Sequence, residues 1–396
     1  MIMKSKYRIA FVSEYDLSDV RVRSGVPFFI KKTLEDIGCE IIDLGNIKDK
    51  RSFICKIKGR LLTLFFNKIL KCRLGLFLHQ RSISYIKGIS KQADSLLQNV
   101  NYDIVFSPDN LILSFINTSR PIVYWSDATF DNMLNYYPDG FSNLCKLTIK
   151  EAHCIERRSI KKSSLAIYTS EWAAKSAIDF YNMDPDKVKI IPRGANLLYR
   201  MNETEIRTNI LKKDLTKYRL LFVAANWERK GGDLVVKVAK SLVDRGIDVI
   251  VHIVGEFPKE KYEHVKWLHY EGFLKKDCDE DQRRLVELYK KCHLFIMLSK
   301  YENFGIVFCE ASAFGLPSVA FDTGGVAEAV RDGHNGKLFT VDSNENDIAS
   351  YIIDLLSNRE KYNALSLSSY LEFKTRLNWR SSCEKLIHYL EETNLV

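Results

Sequence analysis

The sequence reads YRIAFV at residues 7–12 and YRLLFV at residues 218–223, and this internal repeat indicates two copies of one structural unit. Each run is apolar without alternation, as expected of a strand that is covered on both faces. A polar loop follows each run and ends at Gly25 in the first copy and at Gly231–Gly232 in the second, where a helical pattern begins. Each copy therefore predicts a Rossmann-like βα unit, in which glycine allows close backbone approach at the helix start.

Further apolar runs alternate with helical patterns on both sides of the polar stretch 199–217, which we interpret as a linker. This alternation is typical of parallel sheets built from βαβ units. We therefore predict an α/β fold of two Rossmann-like, doubly wound domains that face each other across a cleft, residues 1–198 and 199–377. The runs that predict strands are 7–13, 40–44, 103–107, 121–125, 165–169 and 188–191 in the first domain, and 218–224, 248–254, 265–269, 293–298 and 317–321 in the second.

Length and composition exclude several classes of protein. The chain has 396 residues, of which 46% are hydrophobic and only 19 are Gly and 8 are Pro, so one small core and a collagen-like or mainly disordered chain are excluded. Its apolar runs are far shorter than the roughly 20 residues that cross a bilayer, and Glu14 and Asp16 interrupt the N-terminal one. We expect a cytoplasmic protein. Its 9 cysteines lack metal-ligand spacing, so we expect reduced thiols and no metal site.

The positive charge of the chain lies in its first half. Residues 1–200 contain 31 Lys and Arg against 20 Asp and Glu, whereas residues 201–396 contain 28 against 30. Residues 51–91, here called the basic tract, contain ten basic residues, no acidic one and many large apolar ones. The tract is either an amphipathic surface for an anionic membrane or a pair of core-facing helices with a solvated basic side. It lacks the signatures of nucleic-acid-binding modules, so no nucleic acid partner is expected.

The richest group of polar residues follows the predicted strand 293–298, and ligands of open α/β sheets bind beyond the carboxyl ends of the strands. Glu302 lies in this loop. A helix that begins at about Phe304 would point the amides of residues 303–306 at an anionic phosphate. Glu310 lies deeper in that helix, where its carboxylate can accept hydrogen bonds from two vicinal hydroxyls.

Two further loops follow strands of the same predicted sheet. Gly324-Gly325 comes after strand 317–321 and lets backbone amides approach a ligand. Arg229 and Lys230 come after strand 218–224 and supply cations. Helix amides, glycines and cations that converge are what a sugar diphosphate requires.

Residues 302–338 closely resemble the nucleotide-sugar signature of glycosyltransferase family 4. The resemblance rests on Glu302 and Glu310, Ala313-x-Gly315-x-Pro317, Gly324-Gly325 and Asp332-Gly333-x-Asn335-Gly336. Lys230-Gly231, residues 192–196 and Asn378-Trp379 also look like motifs of that family. The resemblance implies the GT-B fold, with two Rossmann-like domains, a donor site mostly in the C-terminal one, and retention of anomeric configuration. It also implies that a last helix, within residues 378–396, crosses back to the N-terminal domain.

The resemblance further implies roles for individual residues. Glu302 would contact the donor sugar and support charge at the anomeric centre, Glu310 would bind the ribose, and Lys230 would neutralise the departing diphosphate. Backbone near Gly272 and Phe273 would read the base. Main-chain amides for the diphosphate would come from Asn303, Phe304, Gly305, Ile306, Gly324 and Gly325, and Gly25 would open the N-terminal helix that faces the donor's phosphates.

The chain departs from the family pattern at two places. Ala224-Ala225 stand where the family commonly has Gly-Arg, and Arg229 is the candidate replacement for that cation. Asp127 stands where the family often has His. It either contacts the substrate in a catalytic role or caps a helix.

The leading interpretation is a retaining glycosyltransferase that moves a sugar from a nucleotide-diphosphate donor to a glycan acceptor. We expect a lipid-linked acceptor, as in the synthesis of bacterial surface polysaccharide or lipopolysaccharide, and contact between residues 51–91 and the inner face of the plasma membrane. No cofactor is expected, because the nucleotide sugar is itself a substrate; UDP, GDP and ADP stay open as its nucleotide. The alternatives are a GT-B nucleotide-sugar epimerase or hydrolase, and a noncatalytic protein that binds sugar nucleotides or nucleic acid.

Overall fold

The computed structural model describes residues 7–47, 53–69, 75–393 and 395. Met1–Ile191 and Cys383–Val396 form one unit of the chain, and Pro192–Ser382 form the second. Each unit contains one six-stranded sheet in which all neighbouring strands run parallel. The predicted α/β fold of two Rossmann-like domains is confirmed.

The first sheet is built from short apolar strands. These are β1 (Arg8–Val12), β2 (Glu40–Leu44), β3 (Ile104–Ser107), β4 (Ile122–Ser126), β5 (Leu165–Tyr168) and β6 (Val188–Ile190). Their order is β2-β1-β3-β4-β5-β6, and every residue of β3, β4 and β5 is buried. The order changes direction between β1 and β3, which makes this pair the switch point of the sheet.

The helices of the first unit follow its strands. They are α1 (Val26–Asp36), α2 (Phe53–Leu64), α3 (Ile83–Leu97), α4 (Phe130–Met133), α5 (Pro138–Phe141), α6 (Lys146–Lys162) and α7 (Glu171–Asp179), with a π-helical segment at Phe65–Ile69. Helix α1 begins after Gly25, as predicted, and Gly25 has φ +91°. A Cβ on Gly25 would lie 2.8 Å from the carbonyl oxygen of Val20, so only glycine fits this helix start.

The second sheet has the Rossmann strand order. Its strands are β7 (Tyr218–Ala224), β8 (Val249–Gly255), β9 (Leu268–Gly272), β10 (Leu294–Met297), β11 (Ser318–Phe321) and β12 (Gly336–Phe339). They are ordered β12-β11-β10-β7-β8-β9, so the switch point lies between β7 and β10. The edge strand β12 was not predicted from sequence. Strand β9 begins three residues later than predicted, because Val265 donates to the Tyr262 carbonyl and Leu268 to the Val265 carbonyl in a turn.

The second unit contains most of the remaining helices. They are α8 (Glu203–Lys212), α9 (Gly232–Asp244), α10 (Lys259–Tyr262), α11 (Asp279–Lys291), α12 (Ile306–Ser312), α13 (Val326–Ala329), α14 (Glu345–Ser357), α15 (Arg359–Thr375) and α16 (Trp379–Glu392). Helix α8 lies in the stretch interpreted as a linker and buries Ile206 and Ile210 in the core of this unit. Helix α16 begins in the second unit and continues into the first, where Nζ of Lys385 donates to the carbonyl oxygen of Ile190 at 3.2 Å.

Candidate functional site

The loops after β7 and β10 start side by side, because these two strands are neighbours in the second sheet. A switch point of this kind is where open α/β sheets bind ligands. The first loop carries Arg229 and Lys230, and the second carries Glu302. The structure therefore brings together three of the residues that were singled out from sequence.

The carboxylate of Glu302 contacts both cations. Its Oε2 forms a salt bridge with Nζ of Lys230 and lies 3.7 Å from Nη1 of Arg229. Nη1 of Arg229 also donates to the carbonyl oxygen of Tyr301 at 3.3 Å. The side chains of Glu302 and Lys230 are only 10% and 13% exposed, so water screens this pair much less than an ion pair on the surface.

A tight turn holds Lys230 at the end of β7. Gly231 has φ +77°, and a Cβ on it would collide with the carbonyl oxygen of Leu298. Oδ1 of Asn226 accepts from the amide of Arg229 at 2.7 Å, and Oε2 of Glu256 accepts from the amide of Trp227 at 2.7 Å. Asn226 and Glu256 were not singled out from sequence, yet they fix the loop that carries both cations.

The loop after β11 joins the same group. The amide of Gly325 donates to the carbonyl oxygen of Glu302 at 3.3 Å, and Oγ1 of Thr323 donates to the carbonyl oxygen of Lys300 at 2.9 Å. Of the two diglycine amides predicted to face a diphosphate, that of Gly325 is thus used within the protein, while Gly324 takes φ +55°. The loop after β11 thus holds the main chain of the Glu302 loop in place through two hydrogen bonds.

Helix α12 begins at Ile306, two residues later than the predicted start at Phe304. Gly305 is its N-cap with φ +81°, a left-handed conformation that cannot belong to a right-handed helix. The predicted amide donors Asn303, Phe304 and Gly305 therefore precede the helix. Of the four, only Ile306 lies in its first turn.

Glu310 lies in α12 and is buried, with 1% of its side chain exposed. Its Oε1 lies 2.7 Å from Nζ of Lys276, and the hydroxyl of Tyr289 donates to its Oε2 at 3.2 Å. Burial, together with the Glu310 carboxylate, raises the pKa of Tyr289 well above its usual range, so this hydroxyl remains a donor. Both carboxylate oxygens are thus held by protein groups.

Lys276 and Tyr289 are residues that sequence analysis missed. Part of the signal was available, because a glutamate buried in a helix needs a cationic partner and the loop 273–278 offers Lys275 and Lys276. Sequence alone cannot say which of the two lysines reaches Glu310. Nor does it indicate that Tyr289, on α11, points at a residue of α12.

The two residues predicted to read the base lie where β9 ends. Gly272 is the last residue of β9 and has φ +87°, so it belongs to the strand rather than to the loop after it. Phe273 begins the loop and is 62% exposed. The same loop continues to Lys276, so it joins the predicted base segment to Glu310.

In the first unit, Asp127 lies near the loop that contains Gly25. Its Oδ1 is 3.9 Å from Nη2 of Arg23, whose Nη1 forms a salt bridge with Oδ2 of Asp109 at 2.8 Å. Asp109 and Asp127 follow the neighbouring strands β3 and β4. The helix-cap alternative for Asp127 is wrong, because Thr129 is the N-cap of α4.

Two carboxyl groups of the first unit were not predicted, those of the half-buried Glu14 and the buried Glu156. The hydroxyl of Tyr85 donates to Oε2 of Glu14 at 2.7 Å, and Nδ2 of Asn110 donates to Oε1 of Glu156 at 2.6 Å. Burial raises the pKa of Glu14 and that of Glu156 to about 7 each.

The described parts of the chain contain no group of three or more His, Cys, Asp and Glu side chains that could hold a metal ion. Asp279, Glu280 and Asp281 form the first turn of α11, where acidic side chains interact favourably with the helix dipole. No helix of residues 7–47, 53–69 and 75–393 is long and apolar enough to cross a membrane.

Residues 203–370 match the model of the family described as Glycosyl transferases group 1. This range runs from α8 into α15 and includes Arg229, Lys230, Glu302 and Glu310. The chain has the GT-B fold of solved glycosyltransferases, and its match to the group 1 family lies within its second unit.

The chain is also similar to individual proteins, at low sequence identity. It is 27% identical to D-inositol 3-phosphate glycosyltransferase of Nocardia farcinica over 243 residues, 59% of this chain and 53% of that protein. The chain spans about half the length of the curated relatives it matches. Anabaena Alr3699/HepE, in complex with UDP and glucose, superposes with a TM-score of 0.61 at 17% identity, over 97% of this chain and 99% of that one. WaaG, a glycosyltransferase involved in lipopolysaccharide biosynthesis, gives a TM-score of 0.61 at 15% identity, over 96% and 98%.

Proposed function

We propose that the chain is a retaining glycosyltransferase of the family 4 type, which transfers a sugar from a nucleotide-diphosphate donor to a glycan acceptor. The observation that carries the proposal is the contact of Glu302 with Lys230 and Arg229 at the switch point of the second sheet. A carboxylate and two cations at one strand-end site match a donor that has a sugar at one end and a diphosphate beside it.

Catalysis rests on stabilising the leaving group. Breaking the bond between sugar and diphosphate leaves negative charge on the diphosphate and positive character at the anomeric carbon. Lys230 neutralises the diphosphate, with Arg229 as the second cation. Glu302 lies against the sugar, where its carboxylate supports the positive anomeric carbon.

Retention of configuration needs no separate general base in this mechanism. The acceptor hydroxyl attacks from the face that the diphosphate leaves, its oxygen forms the new bond to the anomeric carbon, and its proton passes to the departing phosphate oxygen. Atoms and charge balance without a further reactant. At the reacting end of the donor, the described ion group consists of Glu302, Lys230 and Arg229, and this mechanism uses none of them as a base.

The rest of the donor lies along the loop after β9. Glu310 accepts hydrogen bonds from the ribose hydroxyls, and the backbone at Gly272 and Phe273 reads the base. The HepE structure, which holds UDP and glucose, supports a nucleotide donor for this chain. UDP is the first nucleotide to test, followed by GDP and ADP.

The acceptor is a glycan that binds the first unit. Asp109 and Asp127 are held by Arg23 after neighbouring strands, and carboxylates of this kind accept hydrogen bonds from sugar hydroxyls. WaaG acts in lipopolysaccharide biosynthesis, which supports a lipid-linked acceptor in the synthesis of a bacterial surface glycan.

A thermal-shift screen tests the proposal. UDP, GDP and ADP and their common sugar conjugates are each added at about 100 times their dissociation constant, where a ligand that binds only the folded protein stabilises it by about 2.7 kcal/mol. We expect one nucleotide series to raise the melting temperature, and the matching nucleotide sugar to be consumed only when a glycan acceptor is present. Consumption without acceptor would instead indicate an epimerase or hydrolase, and no shift with any nucleotide would contradict the donor site.

We also propose that the first unit binds the cytoplasmic face of an anionic membrane. Ile57, Leu61, Leu64 and Phe65, here called the apolar stripe, are 38–59% exposed and share one face of α2 and the π-helical turn after it. Arg60 and Lys68 are exposed beside them. Of the other cations in the basic tract, Arg51, Lys71 and Arg73 lie outside the described residues, as do the side chains of Lys56 and Lys58.

Replacing Leu61 and Phe65 together by aspartate is expected to release the protein from vesicles that contain anionic lipid. Each side chain loses about 1.5–3 kcal/mol of burial free energy in the bilayer interface, so the two changes together weaken binding at least about 100-fold. The double variant Arg60→Gln with Lys68→Gln is expected to lose about 1 kcal/mol of membrane-binding free energy per cation. Leu211→Asp is the matched control, since Leu211 is a 67% exposed leucine of the second unit. Sedimentation with vesicles measures the bound fraction, and equal sedimentation of wild type and the Leu61/Phe65 variant would refute the membrane proposal.

A further inference from the structure

We infer that Lys276 is a positioning residue for the nucleoside, which fixes the Glu310 carboxylate in the orientation that ribose hydroxyls require. Lys276 thereby makes the site selective for ribonucleotides over 2′-deoxyribonucleotides. The inference rests on the proposed function, in which Glu310 binds the ribose.

The backbone around Lys276 is anchored from both sides. Nε2 of Gln282 donates to the carbonyl oxygen of Lys276 at 2.6 Å, and the amide of Lys275 donates to Oδ2 of Asp281 at 2.9 Å. Gln282 and Asp281 belong to the first turn of α11. The helix therefore sets where the loop passes, and the Lys276 side chain reaches from there to Oε1 of Glu310 at 2.7 Å.

The charge of Lys276 stabilises the buried carboxylate of Glu310. A carboxylate that is 1% exposed is costly unless a cation pairs with it, and Lys276 is the cation within salt-bridge distance among the described residues. Tyr289 is a neutral donor and offsets only part of that cost. Without Lys276, the carboxylate loses the charged donor on Oε1, so this oxygen is no longer held in place for a ligand hydroxyl.

The two protein donors also set the orientation of the carboxylate. An ionised carboxylate has about four acceptor positions, two on each oxygen. Lys276 takes one position on Oε1 and Tyr289 takes one on Oε2, so each oxygen keeps a position for a ligand hydroxyl. A pair of vicinal hydroxyls matches that arrangement. A 2′-deoxyribose has only one of the two.

The test compares Lys276→Met with Lys275→Met, a change of the neighbouring exposed lysine. Dissociation constants are measured by calorimetry for UDP, GDP and ADP and for the 2′-deoxy form of each. Wild type and Lys275→Met are expected to prefer the ribonucleotide that binds over its 2′-deoxy form by roughly tenfold to a hundredfold. Lys276→Met is expected to weaken binding of the ribonucleotide by a similar factor and binding of the 2′-deoxy form much less. The ratio of the two dissociation constants should therefore approach one. Lys276→Arg keeps the cation and is expected to restore most of the preference.

Glu310→Gln separates failure of this inference from failure of the proposed function. Loss of the preference in both Glu310→Gln and Lys276→Met supports the inference. If Glu310→Gln loses the preference but Lys276→Met keeps it, the positioning role is wrong and the donor site stands. If Glu310→Gln keeps the preference, Glu310 does not bind the ribose, and the donor-site assignment itself fails. Should Lys276→Met not fold, Lys276→Gln takes its place in the same comparison.

Discussion

Lys230→Ala is expected to slow sugar transfer by about 100- to 1,000-fold, the loss seen when a group that stabilises developing negative charge is removed. The charge that Lys230 meets grows as the bond to the diphosphate breaks. The rate constant kcat should therefore fall much more than nucleoside diphosphate affinity. Steady-state kinetics with a saturating acceptor give kcat, and calorimetry gives the affinity.

Lys240→Ala is the matched control for this change. Lys240 lies on α9, which begins directly after the Lys230 turn, but its Nζ pairs with Asp244 at 2.7 Å and its side chain is 65% exposed. An exposed pair of this kind contributes little, so rate and affinity should both be unchanged. If Lys230→Ala lost affinity and kept its kcat, Lys230 would bind the ground state only, and the leaving-group role would be wrong.

The fold was largely predictable because buried parallel strands leave a simple pattern. The runs that became β7 and β10 contain only apolar residues apart from Arg219, and helix α16 spans the 379–392 pattern before the chain end. The misplaced and missed strands are at the edges of the second sheet. Strand β9 has exposed and half-buried residues, and β12 is half-buried after Gly336, so neither shows the apolar run that marks a buried strand.

The candidate site was predictable only for residues in loops that directly follow an apolar strand. Lys230 and Glu302 each follow an apolar strand, and parallel strands that are neighbours at a switch point bring such residues together. The partners of Glu310 come from α11 and the loop before it. A single sequence does not determine the direction in which a lysine side chain of a loop extends. The ionic contacts of Asp127 with Arg23, and the cap that Thr129 provides, likewise depend on tertiary packing.

Glu302→Gln is expected to lower kcat by about 100-fold, with a smaller change in the affinity for nucleoside diphosphate. Glutamine has nearly the same shape, so it removes the negative charge that faces the anomeric carbon without opening a cavity. It also deprives Lys230 and Arg229 of their carboxylate. A thermal unfolding curve is therefore recorded for the variant, because loss of one partner from a shielded ion pair destabilises a protein. A folded variant with wild-type kcat would contradict a role for Glu302 at the reacting sugar.

The double variant Lys230→Ala with Glu302→Gln shows whether the two residues act as one unit. Side chains in contact usually give non-additive losses, and groups that serve the same transition state do so strongly. Lys230 and Glu302 form a salt bridge, so the double variant is expected to be about as slow as the slower single variant. Losses that multiply, to about 10,000-fold or more, would mean that the cation and the carboxylate stabilise the transition state independently. In that case the salt bridge would hold the loops after β7 and β10 together without being part of the catalytic step.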